Sequence, residues 1–309
     1  MTIVPSAPGE PRRPDGPRNS GDAWVVAESG EKYWGRYGAA GVLAVDADRG
    51  VLLQLRVGWS HFGGTWGVPG GALHEGETAL DGAVREAQEE AGIPDGALRP
   101  RFVRVVDLDI WSYTTVVADV AVAFEPVISD PESVALEWVP IDEVDQRPLH
   151  PGFAAAWPVL RELLTVRPVI VVDAANVIGS VPDGWWEDRA GAAKRLRDRL
   201  ATVEIPAESL DLPSGSAAAG ERSPASVTQW SPEIVLVVEG KARSLPDAPS
   251  TVTVVRASDH GDDTIVDEAR RRVDAGATVT VVTSDRELRE RAERLGARTQ
   301  PAGWLTRGC

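Results

Sequence analysis

From Gly38 onward the chain alternates between short apolar runs and clusters of glycine, proline and acids. Gly38 to Val45 reads as an apolar strand, Asp46-Ala-Asp-Arg-Gly50 as a turn, and Val51 to Arg56 as a second strand, which together predict a hairpin. A glycine-rich loop follows, Gly63-Gly-Thr-Trp66-Gly-Val-Pro-Gly70-Gly71, where backbone can approach a ligand closely. The period then changes. Between Thr78 and Ala91 the apolar residues Ala79, Leu80, Ala83, Val84 and Ala87 recur at helical spacing. Thr78 is placed to cap the first turn, and Gly92 with Pro94 stops the last. Arg101 to Asp107, Tyr113 to Phe124 and Val134 to Val139 read as strands. Trp157 to Thr165 predicts a closing helix with Pro158 in its first turn.

After Arg167-Pro168 the pattern becomes continuous apolar runs separated by helical stretches. The runs are Val169 to Val172, Ile234 to Val238, Val252 to Val255 and Thr278 to Val282, and the helices Ala190 to Val203, Thr264 to Ala275 and Glu287 to Leu295. Such alternation predicts a parallel sheet covered on both faces. The chain is thus expected to be α/β throughout, with a tail at 1–30 rich in proline and polar residues and taken as disordered. A first domain is expected at 31–166 and a second at 167–309, the latter carrying a flexible insertion at 206–232 rich in Ser, Ala, Gly and Pro.

Composition narrows the function. A length of 309 residues agrees with two domains, and 43% hydrophobic content is ordinary for globular proteins. The formal charge of -15 argues against general binding to phosphate backbones and leaves room only for a local basic patch. The single cysteine, Cys309, allows no disulfide within the chain, as expected in the cytoplasm. The first residues lack the apolar core of a signal peptide, and no run is long enough to span a membrane.

The predicted helix carries the strongest chemistry. At about 100° per residue, Glu86, Glu89 and Glu90 share one face. Exposed carboxylates that close repel by a few tenths of a kcal/mol per pair, roughly, and a hard cation such as Mg²⁺ or Mn²⁺ turns that repulsion into coordination. Arg85 and Glu77 are placed to pair where the helix begins. The run Gly71, five residues, Glu77, seven residues, Arg85-Glu86, two residues, Glu89-Glu90, one residue, Gly92-Ile93 resembles the Nudix box. Ala87 departs from it, being smaller than the usual aliphatic residue. The resemblance covers about Tyr33 to Leu164.

That resemblance implies an α/β/α sandwich with a mixed sheet and Mg²⁺-dependent hydrolysis of a nucleoside diphosphate linked to another group, a nucleoside triphosphate included. It further implies metal ligation by the Gly70 carbonyl, Glu86, Glu89 and Glu90, with Arg85 orienting Glu77 and the helix. Glu86 serves alternatively as general base, and Glu132 is a second candidate for base or ligand. Trp66 is one of several tryptophans able to stack on a base.

In the second half, acids end the strands: Asp173, Glu239 and Asp285, with Asp262 and Asp263 where a helix begins. In parallel α/β sheets the functional crevice lies at this end of the strands. Each acid alone is also a natural cap or turn residue. The series Asp173-Ala-Ala-Asn176, Val238-Glu239-Gly240, Asp262-Asp263-Thr-Ile265 and Thr283-Ser284-Asp285 resembles the NYN (YacP-like) branch of PIN-like nucleases, departing from it at Ala174 and Glu239. The resemblance implies a three-layer domain with Asp173, Asp262 or Asp263, and Asp285 as Mg²⁺ ligands and Asn176 as a polar site residue. RNA is its expected partner, either cut or only bound. Arg189, Lys194, Arg195, Arg197 and Arg199 on one helix suit phosphates or a solvated face equally. For the whole chain, a regulator that senses nucleotides without turnover is the alternative; regulators of that kind often lose box glutamates, and all are kept here.

Overall fold

The computed structural model describes residues 1–5, 20–181, 184–215 and 225–307. It divides into two compact units, Met1–Leu163 with Pro206–Gln229, and Leu164–Ile205 with Trp230–Cys309.

The first unit opens with β1 (Thr2–Pro5), β2 (Ala23–Val26) and β3 (Lys32–Trp34), which form an antiparallel three-stranded sheet in the order β1-β2-β3. This corrects the expectation of a disordered tail at 1–30. The apolar Ile3-Val4 and Trp24-Val25-Val26 segments pair, and Val25 is fully buried. Residues 6–19 of that expected tail lie outside the described residues.

The large sheet of this unit is built from β4 (Ala39–Asp46), β5 (Gly50–Arg56), β6 (Trp66–Gly67), β7 (Gly70–Ala72), then, after helix α1 (Ala79–Ala91), β8 (Leu98–Asp107), β9 (Ser112–Val120) and β10 (Ser133–Val139). Helix α2 spans Pro151–Leu163. It begins six residues before its expected start, so Pro158 lies in its interior rather than its first turn. The sheet order is β10-β5-β4-β9-β8, with β6 on β5 and β7 on β4. β4 runs parallel to β9 while β4–β5 and β8–β9 are antiparallel, so the sheet is mixed. α1 buries Ala83, Ala87 and Ala91 against Ala40, Val42, Val116 and Ala118 of the central strands. Small residues on both sides let the helix lie close to the sheet.

The second unit follows as β11 (Pro168–Asp173), α3 (Ala174–Gly179) and α4 (Arg189–Leu200); after β12 (Ile205–Pro206) and β13 (Ala225–Trp230) come β14 (Glu233–Val238), β15 (Val252–Arg256), α5 (Gly261–Asp274), β16 (Thr278–Val282), α6 (Arg286–Glu293), β17 (Arg298–Gln300) and α7 (Trp304–Arg307). Its sheet has the order β15-β14-β11-β16-β17 and is parallel throughout. The apolar runs are buried because helices cover both faces of a parallel sheet: Val171, Val235 and Val281 are all inaccessible.

The expected flexible insertion at 206–232 is corrected as well. β13 extends the large sheet beyond β8, and β12 follows it. Its sequence, Ala-Ser-Val-Thr-Gln-Trp, buries Ala225, Val227 and Trp230, and so satisfies an otherwise open sheet edge. Residues 216–224 of that stretch lie outside the described residues.

Candidate active site

In the first unit the helical part of the box begins at the cap of α1. The Thr78 hydroxyl accepts from the Asp81 amide at 3.1 Å, and Gly92 closes the helix at φ 62°, its N–H donating to the Gln88 carbonyl. Arg85 is the hub. Its Nε donates to Glu77 at 2.8 Å and one Nη to the other Glu77 oxygen at 3.0 Å; that Nη also donates to the Ala72 carbonyl at 3.2 Å. Its second Nη donates to Glu86 at 2.6 Å and lies 3.6 Å from Glu89. A fork of this kind is geometrically specific as well as strong. Arg85 holds the Glu77 carboxyl below its usual range, and Glu77 also accepts from the His74 amide at 2.8 Å. A Cβ at Gly71 would stand 2.7 Å from the Glu86 carboxylate, so a larger residue there would displace that side chain.

Glu90 differs from its neighbours. It is 3% exposed, and its carboxylate accepts from the Gly70 amide at 2.8 Å. Burial pushes its carboxyl well above the usual carboxylate range, and the charges of Glu86 and Asp130 push the same way. The Gly70 amide, not its carbonyl, thus makes the described contact with the helix. Among the described residues no three acids, histidines or cysteines already converge at ligand distance, so the expected set of Gly70, Glu86, Glu89 and Glu90 is not assembled as a closed cage. Its donor chemistry nonetheless fits a divalent cation. The carboxylates are hard oxygen donors on one helix face, and the buried one is held against a like charge that a cation would relieve.

The Glu132 carbonyl accepts from the Val57 N–H at 2.8 Å. Asp130, two residues earlier and 8% exposed, is the acid felt by Glu90. It accepts from the Glu132 amide and the Ser133 hydroxyl, and Ser133 in turn accepts from buried Gln54 at 2.7 Å. Trp66 is 6% exposed with the Arg147 guanidinium 4.9 Å over its ring, so it packs rather than offering a face to a base. Sequence reasoning missed Asp130 and Arg56, whose charges act on Glu90, and Tyr113, whose phenol is raised by burial and by the Glu90 and Glu86 charges.

In the second unit Asp173, Asn176, Glu239, Asp262, Ser284 and Asp285 line one cleft of about 530 Å³. Asp173, Asp285 and Glu239 are each tied to a backbone amide nearby. Asp173 caps α3 by accepting from the Asn176 amide at 3.0 Å and accepts from the Thr283 hydroxyl at 2.9 Å. The Asn176 side-chain oxygen accepts from the Ser284 amide at 2.9 Å. Asp285 caps α6 through the Leu288 amide, and Glu239 accepts from the Gly261 amide, both at 2.8 Å. Burial raises Asp173 and Asp262, and the Asp285 and Glu239 charges add to the rise at Asp262. Asp263 does not line the cleft; it pairs with Arg291 at 2.5 Å. On α4, Arg197 is buried and donates to the Pro246 carbonyl, which removes it from the expected basic face.

A family model described as "NUDIX domain" matches residues 35–163. A protein of Mycobacterium tuberculosis provisionally named 8-oxo-dGTP diphosphatase 3 is 47% identical over 180 residues, covering 55% of this chain and 82% of its own length. The chain belongs to the Nudix family. It is a Nudix-type diphosphatase, a hydrolase of acid anhydrides. A nucleoside triphosphate pyrophosphatase/Nudix hydrolase fusion protein of Bifidobacterium longum is 41% identical over 151 residues, 45% of the Nudix chain and 30% of the relative. A crystal structure of a Nudix hydrolase from M. smegmatis, RenU, is 46% identical, covers 47% of this chain and 95% of its own, and superposes with a TM-score of 0.43.

Proposed function

We propose that the first unit hydrolyses a nucleoside diphosphate linked to a further group, a nucleoside triphosphate foremost, releasing a nucleoside monophosphate. The carrying observation is buried Glu90, held against the charges of Glu86 and Asp130 on the box face. The names of the M. tuberculosis and B. longum relatives, a diphosphatase of an oxidised deoxynucleotide and a triphosphate pyrophosphatase, support the same substrate class. Glu86, Glu89 and Glu90, with Gly70, would hold Mg²⁺ or Mn²⁺. When bound, such an ion neutralises phosphate oxygens and acidifies water. Alternatively Glu86, the box carboxylate that Arg85 orients at 2.6 Å, leaves the ion to the others and serves as general base. Arg85 and Glu77 fix the helix to the loop before it. Glu132 and Trp66 belong at most to the surroundings of the bound nucleotide. A cytoplasmic location completes this reading. It is tested on a nucleotide panel with Mg²⁺ and Mn²⁺: turnover to monophosphate that Glu90→Gln abolishes supports it, and equal turnover by both proteins sinks it.

A second activity is supported by the shared cleft of Asp173, Asp262 and Asp285. We propose that this unit is PIN-like, of the NYN branch, and cuts RNA with Mg²⁺ held by those three acids, Asn176 contributing a polar contact. Labelled RNA separates the outcomes: cleavage lost in Asp173→Asn supports the nuclease, whereas binding without cleavage in the parent protein supports an RNA-binding module.

A further inference from the structure

Two adjacent tryptophans, Trp185 and Trp186, lie in the connection between α3 and α4 of the second unit. Trp185 is half-buried. Its six-membered ring comes within 3.9 Å of the point where a Cβ on Gly179 would stand. Gly179 and Ser180, at the end of α3, line the cleft that holds Asp173, Asp262 and Asp285. The indole of Trp185 thus stands at the rim of that cleft. Trp186 meets it with ring centroids 6.0 Å apart and planes at 78°, yet Trp186 itself is 58% exposed. An indole left in water to this extent forgoes most of the stabilisation its burial would give.

Arg189 is the third member of the group. It opens α4, and its guanidinium lies over the Trp185 ring, 5.3 Å from the centroid. Among the described residues it makes no ion pair. The acid beside it, Asp188, is committed as the cap of α4, accepting from the Gly191 amide at 2.8 Å. A cation in the first turn opposes the helix dipole. An exposed indole and an unpaired first-turn arginine each work against the stability of the unit that carries them, and they stand together beside one cleft.

A polyanionic strand that enters a cleft lined with acids needs a hold outside it. Phosphate attraction is a poor one here, in a chain of net charge -15 with Glu187 and Asp188 beside the tryptophans. Base stacking is a better one, because every base has a π-face and stacking requires no charge. A guanidinium laid over a ring also keeps its N–H donors for a phosphate oxygen. We propose that Trp186, supported by Trp185, is a stacking platform for an unpaired base of single-stranded RNA, with Arg189 on the adjoining phosphate, and that it leads the strand to the acid cleft. The platform rests on the reading of the second unit as a domain that acts on RNA. Trp186 and Arg189 are positioning residues: they hold the strand and leave the scissile bond to the cleft.

The test uses the full chain in EDTA, so that binding is read without metal-dependent cleavage. The probes are fluorescein-labelled single-stranded oligoadenylate and oligouridylate, and the readout is anisotropy, with melting temperature alongside. Trp186→Ala is expected to weaken oligoadenylate about tenfold or more. It also removes the parent's preference for oligoadenylate, whose purines stack better, and leaves the melting temperature near that of the parent. Trp186→Phe, which keeps a smaller ring, recovers part of the loss. Arg189→Gln weakens both oligomers about threefold and makes the dependence of log affinity on log salt shallower by about 0.7, the share of one phosphate contact on a single strand. Trp186→Ala leaves that slope unchanged. Equal affinities and equal base preference in the parent and Trp186→Ala overturn the platform, even where the parent cuts RNA. Absence of binding by the parent to either oligomer overturns it too. Loss of binding in Trp186→Ala, with no cleavage by the parent in Mg²⁺, keeps the platform and removes the nuclease, so the two failures are distinguishable.

Discussion

In the first unit Glu90 is buried on a helix face with one backbone amide and two like charges near it, whereas in the second Asp173 and Asp285 cap helices and Glu239 accepts from the Gly261 amide. Both regions gather acids, but by different means. The caps of the second unit would be kept by folding alone, since a side-chain oxygen on a first-turn amide stabilises the helix it begins. Glu90 has only the Gly70 amide to offset its burial, and its carboxyl costs stability whenever it is charged. An acid that opposes folding is a stronger pointer to chemistry than an acid that assists it.

The comparison predicts opposite responses to mutation. Glu90→Gln should lower kcat by about 10²- to 10⁴-fold, while the metal-free protein melts no lower than its parent at neutral pH. A large drop in melting temperature would make Glu90 structural after all. Arg85→Lys keeps the charge but not the fork on Glu77 and Glu86, and an activity loss of about 10- to 100-fold is expected from misplacing the box carboxylates. In the second unit Asp173→Ala should destabilise by about 1–2 kcal/mol in denaturant titration, through loss of the α3 cap and of the Thr283 partner. A stabilised variant would reverse the contrast with Glu90.

Two smaller effects sharpen it. His150 is held down to about 4 by burial and by the nearby Arg56 and His61 charges. A base depressed in the folded state contributes stability that is present above its unfolded value, about 6.5. That contribution is lost as pH falls toward 4. Between these values the melting temperature of His150→Gln should fall less than that of the parent; equal slopes refute the assignment. Asp263→Ala breaks only the Arg291 pair, whose acid is largely exposed. It should cost less than about 1 kcal/mol and leave any activity of the cleft intact, unlike Asp262→Asn.

The box was legible because its whole pattern lies on one helix and its loop, where spacing alone decides which side chains share a face. Arg56, Tyr113 and Asp130 were not, because sheet register brings them there from strands and a loop far away in the chain. Glu132 was two residues from the acid that Glu90 feels, a distinction made by the Asp130-Ser133-Gln54 hydrogen bonds rather than by residue type. β13 was hidden by composition: six residues inside a stretch rich in small residues carry too little signal without the β8 edge they complete. The parallel sheet of the second unit was readable from its apolar runs, whereas the diversion of Asp263 to Arg291 depends on which way the first turn of α5 faces.

The most direct test of the central claim is calorimetric titration of Mg²⁺ and Mn²⁺ into the full chain with a non-hydrolysable nucleotide present, for the parent protein and for Glu90→Gln. Saturable uptake by the parent that is lost or strongly weakened in the variant is the predicted result. Equal uptake by both, or none by either, would contradict a divalent-ion site built on the buried glutamate.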